Sequence, residues 1–189
     1  MPNQILFIQG AGEFVHDQWD NKLVESLERE LGQDYAVLYP RMPDEADPNY
    51  PAWKAALVKL LDGLDDGAVL VGHSVGATIL LHTLADRRLT FGPGALILIA
   101  APFIGEGGWP SEDIVARADF SGNLPTGLPI LLYHGAEDDD VSPAHVELYA
   151  KAIPGAVVRR LPGRDHQLNN DLSEIARDIR MLLSQRRLT

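Results

Sequence analysis

The sequence predicts an α/β fold: a three-layer sandwich with a six-stranded parallel sheet and helices on both faces. Two observations carry that expectation. Six short apolar segments, at residues 5–9, 36–39, 68–72, 95–100, 130–134 and 157–161, are mostly continuous rather than alternating. Strands buried on both faces read that way. Between them lie helical patterns, so strand and helix alternate along the chain, and such alternation builds parallel sheets through right-handed crossovers.

Taken in order, the strand at 5–9 opens into Gly10-Ala11-Gly12. After Asp17, a candidate cap, Trp19, Leu23, Leu27 and Leu31 recur at every fourth residue, and Gly32 stops the helix. The strand at 36–39 follows. Pro51 then suits a first helical turn, with Trp53, Leu57, Leu60, Leu61 and Leu64 on one face. The strand at 68–72 leads into a helix expected over 75–89. Beyond the strand at 95–100, residues 102–129 lack periodicity, and Gly105, Gly107, Gly108, Gly122 and Gly127 mark a long surface excursion. A helical turn is expected there at 112–118, and the excursion is expected to border the ligand-binding edge as a small, partly mobile lid. The strand at 130–134, a helix at 144–153 ended by Pro154-Gly155, and the strand at 157–161 come next. A last amphipathic helix carries Leu172, Ile175, Ile179, Leu182 and Leu183.

A length of 189 residues fits one domain, residues 1–189, with a sizeable core. Sixteen basic against 27 acidic residues, a net charge of −11, argue against nucleic acid or an anionic membrane as partner. No apolar run reaches the length of a membrane span, so no membrane insertion is expected. The first residues lack the basic region of a signal peptide, and a cytoplasmic location is expected. The absence of cysteine excludes a disulfide framework, a thiol nucleophile and a thiolate metal site.

The motif that carries chemistry is Gly72-His73-Ser74-Val75-Gly76, a G-x-S-x-G between a buried strand and a helix. A nucleophilic serine on a sharp strand-to-helix turn needs small residues two positions away on either side. The turn exposes the hydroxyl and aims the next backbone N–H and the positive helix end at the same place. Ser74 is therefore the expected nucleophile, and it needs a base. Of the six histidines, His73 is locked in the elbow pointing away, and His82 lies two turns into the next helix. His134 ends a strand, His145 begins a helix, and His16 follows the first loop. His166, in Pro162-Gly163-Arg164-Asp165-His166 between the last strand and last helix, can reach over the carboxyl edge where open α/β sheets bind ligands.

The carboxylate that orients the base belongs to the acidic run Glu137-Asp138-Asp139-Asp140 leaving the fifth strand. Asp138 is favoured, three residues after Gly135 and three before Val141; Asp139 and Asp140 are the alternatives. No metal-binding spacing surrounds the run, and neither metal nor cofactor is expected. Oxyanion donors are expected from the Val75 N–H and, in the loop after the first strand, the Ala11 N–H. Phe14, Phe103, Trp109 and Phe120 are candidates to line an acyl pocket.

The order Ser74, Asp138, His166, following strands three, five and six, resembles the α/β-hydrolase superfamily over nearly the whole chain. The chain is most similar to compact lidless members, including those like retinoblastoma-binding protein 9. That resemblance implies a minimal fold without two N-terminal strands, strand order 2-1-3-4-5-6, and triad roles for Ser74, Asp138 and His166. Gln9 stands where many relatives carry the histidine of a His-Gly oxyanion motif, but the donor is a backbone N–H. The function expected is hydrolysis of small-molecule acyl esters through an acyl-enzyme, with thioesters or amides as alternatives. Two other classes compete. A non-catalytic partner-binding protein need not keep all three triad members. A dinucleotide enzyme is suggested by Gly10-Ala11-Gly12, but Val15 replaces the final glycine and Pro40-Arg41 the ribose-binding acid.

Overall fold

The computed structural model describes residues 2–186. The continuous apolar segments become β1 (Asn3–Ile8), β2 (Tyr35–Leu38), β3 (Val69–His73), β4 (Ala95–Ile99), β5 (Ile130–Gly135) and β6 (Val157–Leu161). All neighbours pair in parallel, in the order β2-β1-β3-β4-β5-β6. The central strands β3 and β4 are buried at every position, whereas edge strand β6 is largely open, which matches their composition.

Five α-helices cover the sheet: α1 (Asn21–Leu31), α2 (Tyr50–Leu61), α3 (Ser74–Ala85), α4 (Ala144–Ala152) and α5 (Ser173–Arg186). Alternate side chains of each strand point to opposite faces. On one face Leu6, Ile8, Leu70, Leu96 and Leu98 pack with Trp53, Leu57, Leu81 and Tyr149 of α2, α3 and α4. On the other, Ile5, Phe7, Val71, Ile97 and Tyr133 pack with Leu23, Leu27, Ile175 and Ile179 of α1 and α5. Truncating a fully buried leucine here, such as Leu27 or Leu57, costs about 2–5 kcal/mol. Among the described residues no helix is long and apolar enough to cross a membrane.

The helix starts are set locally. The Asn49 side chain accepts the Ala52 N–H at 3.0 Å, with Pro51 in the first turn of α2. The first helical region departs from expectation. Val15–Asp20 forms a π-turn ahead of α1, and Asp17 caps nothing: its carboxylate pairs with His16 and Arg41 on the surface. A π-turn holds one more residue than an α-turn, so the four-residue period slips. Trp19 is 52% exposed and Asp20 is fully buried, the reverse of what that period predicts. Helix α3 ends at Ala85, short of residue 89, and residues 112–118 form no helical turn.

The excursion at 102–129 is anchored rather than draped. Phe103, Ile104, Ile114 and Phe120 are buried in the core. The Pro102 carbonyl accepts from the Thr78 and Tyr149 hydroxyls, and the Phe120 N–H donates to the Ala152 carbonyl. Only Trp109 reaches the cleft described next.

Candidate active site

Ser74 sits where β3 turns into α3, with φ at +52°, in the left-handed region. Backbone strain of this kind is held in place only by its surroundings. Two glycines hold it. A Cβ on Gly72 would lie 2.5 Å from the Ala77 Cα, and one on Gly76 would lie 1.9 Å from the Gln9 carbonyl oxygen. Neither position admits a side chain, so the elbow docks directly on the end of β1.

The structure brings Ser74, His166 and Asp138 together. His166 Nε2 lies 3.0 Å from Ser74 Oγ, and Nδ1 lies 2.8 Å from Asp138 Oδ2. Of the acidic run, only Asp138 touches His166 and is buried, with Asp139 and Asp140 exposed. Asp138 Oδ1 also accepts the backbone N–H groups of Asp140 and Val141, at 2.9 and 2.8 Å. Burial alone would raise its pKa. The hydrogen bonds from His134, His166 and Val141 outweigh burial and hold the carboxyl well below the usual range, so it is ionised at neutral pH.

His134 was no part of the expected site, yet its Nε2 lies 3.1 Å from Asp138 Oδ2 and 2.8 Å from the Val141 carbonyl. Both neighbours only accept, so this nitrogen carries a proton and shares it. The loop that carries His166 is stiffened too. Leu168–Asn170 form a left-handed turn with all three residues at positive φ. Asp165 and Asn169 exchange two hydrogen bonds there, at 2.7 and 3.0 Å, and Leu168 is buried.

The expected oxyanion donors both line the cleft. The Val75 N–H belongs to the first turn of α3, where helical N–H groups have no partner within the helix. Ala11 lies between two pinned residues. The Gly10 N–H donates to Asp20 Oδ2 at 2.7 Å, and the Gly12 N–H donates to the Glu45 carbonyl at 2.7 Å. Buried Gln9 ties the loop down: its amide donates to Glu45 at 2.6 Å and accepts the Met42 N–H at 3.1 Å.

Behind the elbow is a second carboxylate–imidazole pair that sequence reasoning did not find. His73 Nδ1 lies 2.9 Å from Asp20 Oδ2, and Nε2 lies 3.1 Å from the His166 carbonyl. Its one signal is the imidazole locked inside the elbow, which needs a polar partner once buried.

The cleft in front of Ser74 holds about 710 Å³. Its apolar lining is Val15, Val75, Val141 and the half-open indoles Trp19 and Trp109. Of the proposed aromatic lining, only Trp109 is present. Phe103 and Phe120 are core residues, and Phe14 is 58% exposed away from the cleft. The rim carries five exposed carboxylates (Glu13, Glu137, Asp139, Asp140 and Asp165), and no lysine or arginine is among the lining residues described. The Lys22 ammonium lies 5.2 Å from the Trp19 ring. Asp138, Asp140 and His166 place potential ligand atoms within 4.8 Å of one another, but the Asp138 oxygens are already filled by N–H donors.

The family described as "Alpha/beta hydrolase family" matches residues 5–128. No curated protein matches the chain. Among solved structures, an esterase, RhEst1 from Rhodococcus sp. ECU1013, is similar with a TM-score of 0.71 at 17% identity, covering 97% of this chain and 90% of that one. Est1E from Butyrivibrio proteoclasticus, bound to ferulic acid, is similar with a TM-score of 0.69 at 16% identity, covering 99% and 90%. The esterase domain of a Rhodothermus marinus protein is similar with a TM-score of 0.63 at 21% identity, covering 94% and 84%. At these identities the likeness is one of fold.

Proposed function

The chain belongs to the alpha/beta hydrolase family, and from that premise we propose that it is a serine carboxylesterase of small, soluble acyl esters. The observation that carries this reading is the continuous hydrogen-bonded line from Ser74 Oγ through His166 to a buried, ionised Asp138. His166 Nε2 takes the Ser74 proton as Oγ attacks the ester carbonyl carbon. Val75 and Ala11 N–H groups receive the oxyanion, and Asp138 stabilises the imidazolium without being protonated. His166 returns its proton to the leaving alcohol. It then activates water for attack on the acyl-enzyme, which regenerates Ser74 and releases the acid.

Ester cleavage is favoured over amide or thioester cleavage by the solved structures named as esterases. Ser74 lining an open cleft, with only Trp109 of the 102–129 excursion beside it, supports a place among the compact members, beside those like retinoblastoma-binding protein 9. Within the cleft a long acyl chain would meet few apolar side chains, chiefly three valines and two indoles, beneath an acidic rim. Labelling with a fluorophosphonate and mapping the modified residue tests the nucleophile. A panel of p-nitrophenyl esters from acetate to long chains tests the substrate class. Modification at Ser74 and the highest kcat/KM on acetate or butyrate are expected. An unlabelled Ser74, or preference for long-chain emulsions, would sink the reading.

A further inference from the structure

Asp20 occupies the N-cap position of α1, where aspartate ordinarily caps its own helix, yet its side chain makes no capping bond. The preceding π-turn directs the carboxylate inward instead, and it is fully buried. There it joins three segments distant in sequence. Oδ2 accepts the Gly10 N–H at 2.7 Å and faces His73 Nδ1 at 2.9 Å, while Oδ1 accepts from the Gln167 amide at 3.2 Å. Through His73 it also reaches the His166 carbonyl, 3.1 Å from Nε2. The loops so joined follow β1, β3 and β6. On the functional reading above, they carry an oxyanion donor, the nucleophile and the base.

The protons on the pair follow from its neighbours. A carbonyl only accepts, so His73 Nε2 bears one proton. A second lies between His73 Nδ1 and Asp20 Oδ2. Two protons leave the pair with no net charge, the condition burial imposes on ionisable groups. Burial opposes the charged form of each, but their mutual attraction and hydrogen bonding outweigh it, holding Asp20 below and His73 above their ordinary values. Buried pairs of this kind contribute little net stability compared with apolar packing. What this one supplies is alignment.

We propose that Asp20, acting through His73, is a positioning residue that holds the Gly10–Ala11 loop and His166 in register around Ser74. The inference rests on the serine-hydrolase reading.

Asp20→Asn is the informative substitution. The amide oxygen can still accept both the Gly10 N–H and His73 Nδ1–H. A neutral imidazole then has no proton left for Nε2, which turns a lone pair toward the His166 carbonyl and frees the base loop. Asp20→Glu keeps the charge but moves the carboxylate by one methylene. Wild type, Ser74→Ala and the two Asp20 variants are compared by p-nitrophenyl acetate kinetics, fluorophosphonate labelling and urea unfolding. Both Asp20 variants are expected to label fully at Ser74 but to lose roughly 10- to 100-fold in kcat, with KM within about threefold. A folded variant with wild-type kcat, whatever its unfolding midpoint, would overturn the proposal, because a merely structural pair lowers the midpoint and spares kcat. Failure of both variants to fold would likewise assign the pair to stability and overturn it. If wild type neither labels nor turns over, or if Ser74→Ala behaves like wild type, the hydrolase reading fails first and the positioning role falls with it. An active wild type with unaffected Asp20 variants fails the positioning role alone.

Discussion

Two aspartate–histidine pairs lie side by side in this molecule, with imidazole rings 4.8 Å apart, and they differ in what faces the far nitrogen. His166 Nε2 faces a serine hydroxyl, which can give up a proton. His73 Nε2 faces a peptide carbonyl, which cannot. The pairs share a plan: each carboxylate is buried, faces a nitrogen of its imidazole and accepts backbone N–H, one for Asp20 and two for Asp138, which also meets His134. An aspartate beside a histidine thus does not make a general base. On the function proposed above, the base is the imidazole whose far nitrogen meets a group able to give up a proton, and the imidazole held at both nitrogens by acceptors serves as a strut.

The most severe ways to break this comparison are at the front pair. Ser74→Ala should abolish both turnover and covalent labelling while leaving the unfolding midpoint near wild type. His166→Ala should lower kcat by roughly three orders of magnitude, because proton removal from Ser74 and proton return to the leaving group are both lost. Asp138→Asn should come close to that, roughly 10³-fold in kcat/KM, since the amide favours the wrong tautomer and cannot balance the imidazolium. Asp139→Asn and Asp140→Asn should change kcat/KM by less than about threefold. Asp140 is hydrogen-bonded to Asp138 through its backbone N–H, which the substitution keeps. A greater loss in either than in Asp138→Asn, with folding intact, would move the acid to a different residue.

A third imidazole sharpens the comparison from the other side. His82 in α3 is buried against the edge of Phe120, and among the described residues no carboxylate is hydrogen-bonded to it. Burial, aided by Arg117, lowers its pKa to about 4. The unfolded chain, with histidine near 6.5, binds the proton more readily, so stability is full above about pH 7 and falls as pH drops toward 4. At pH 5 the loss is about 2 kcal/mol, and His82→Leu should remove most of it. Urea midpoints at pH 7 and pH 5 measure the difference; an equal pH dependence in both proteins would contradict the account.

The smallest effect concerns substrate charge. The five rim carboxylates should favour an ester with a cationic alcohol over its anionic counterpart by a fewfold in kcat/KM, and added salt should erase the difference. A preference that persists in high salt would place its origin in contacts rather than the rim's field.

Why the front pair is legible in sequence and the rear pair is not has a physical basis. Ser74 announces itself through glycines that steric exclusion requires, and His166 and Asp138 through their places at the carboxyl edge of strands whose apolar runs identify them. The parallel sheet is legible because strand and helix alternate everywhere except across residues 102–129, while its order comes from the resemblance to α/β hydrolases. Asp20 has no such marker. It lies on a π-turn, and a four-residue period assigns the inward direction to Trp19 and the surface to Asp20. His134 escapes for a different reason: a histidine at a strand end looks the same in sequence whether or not a loop folds back to give it a carboxylate. The misplaced aromatics, Phe103 and Phe120, belong to an excursion that has no period, so nothing local reveals which of its side chains turn inward.

The three tryptophans divide in a way that makes the molecule its own reporter. Trp53 is sealed in the core, whereas Trp19 and Trp109 stand open at the cleft mouth. Part of the indole emission therefore comes from beside Ser74, within reach of dissolved quenchers, and part from a site that water reaches only on unfolding. Caesium, drawn to the carboxylate rim, should quench the mouth indoles more effectively at low salt than iodide, which the same rim repels. An acyl group trapped on Ser74 should protect them from both ions, so occupancy of the cleft can be followed by light before any product is measured.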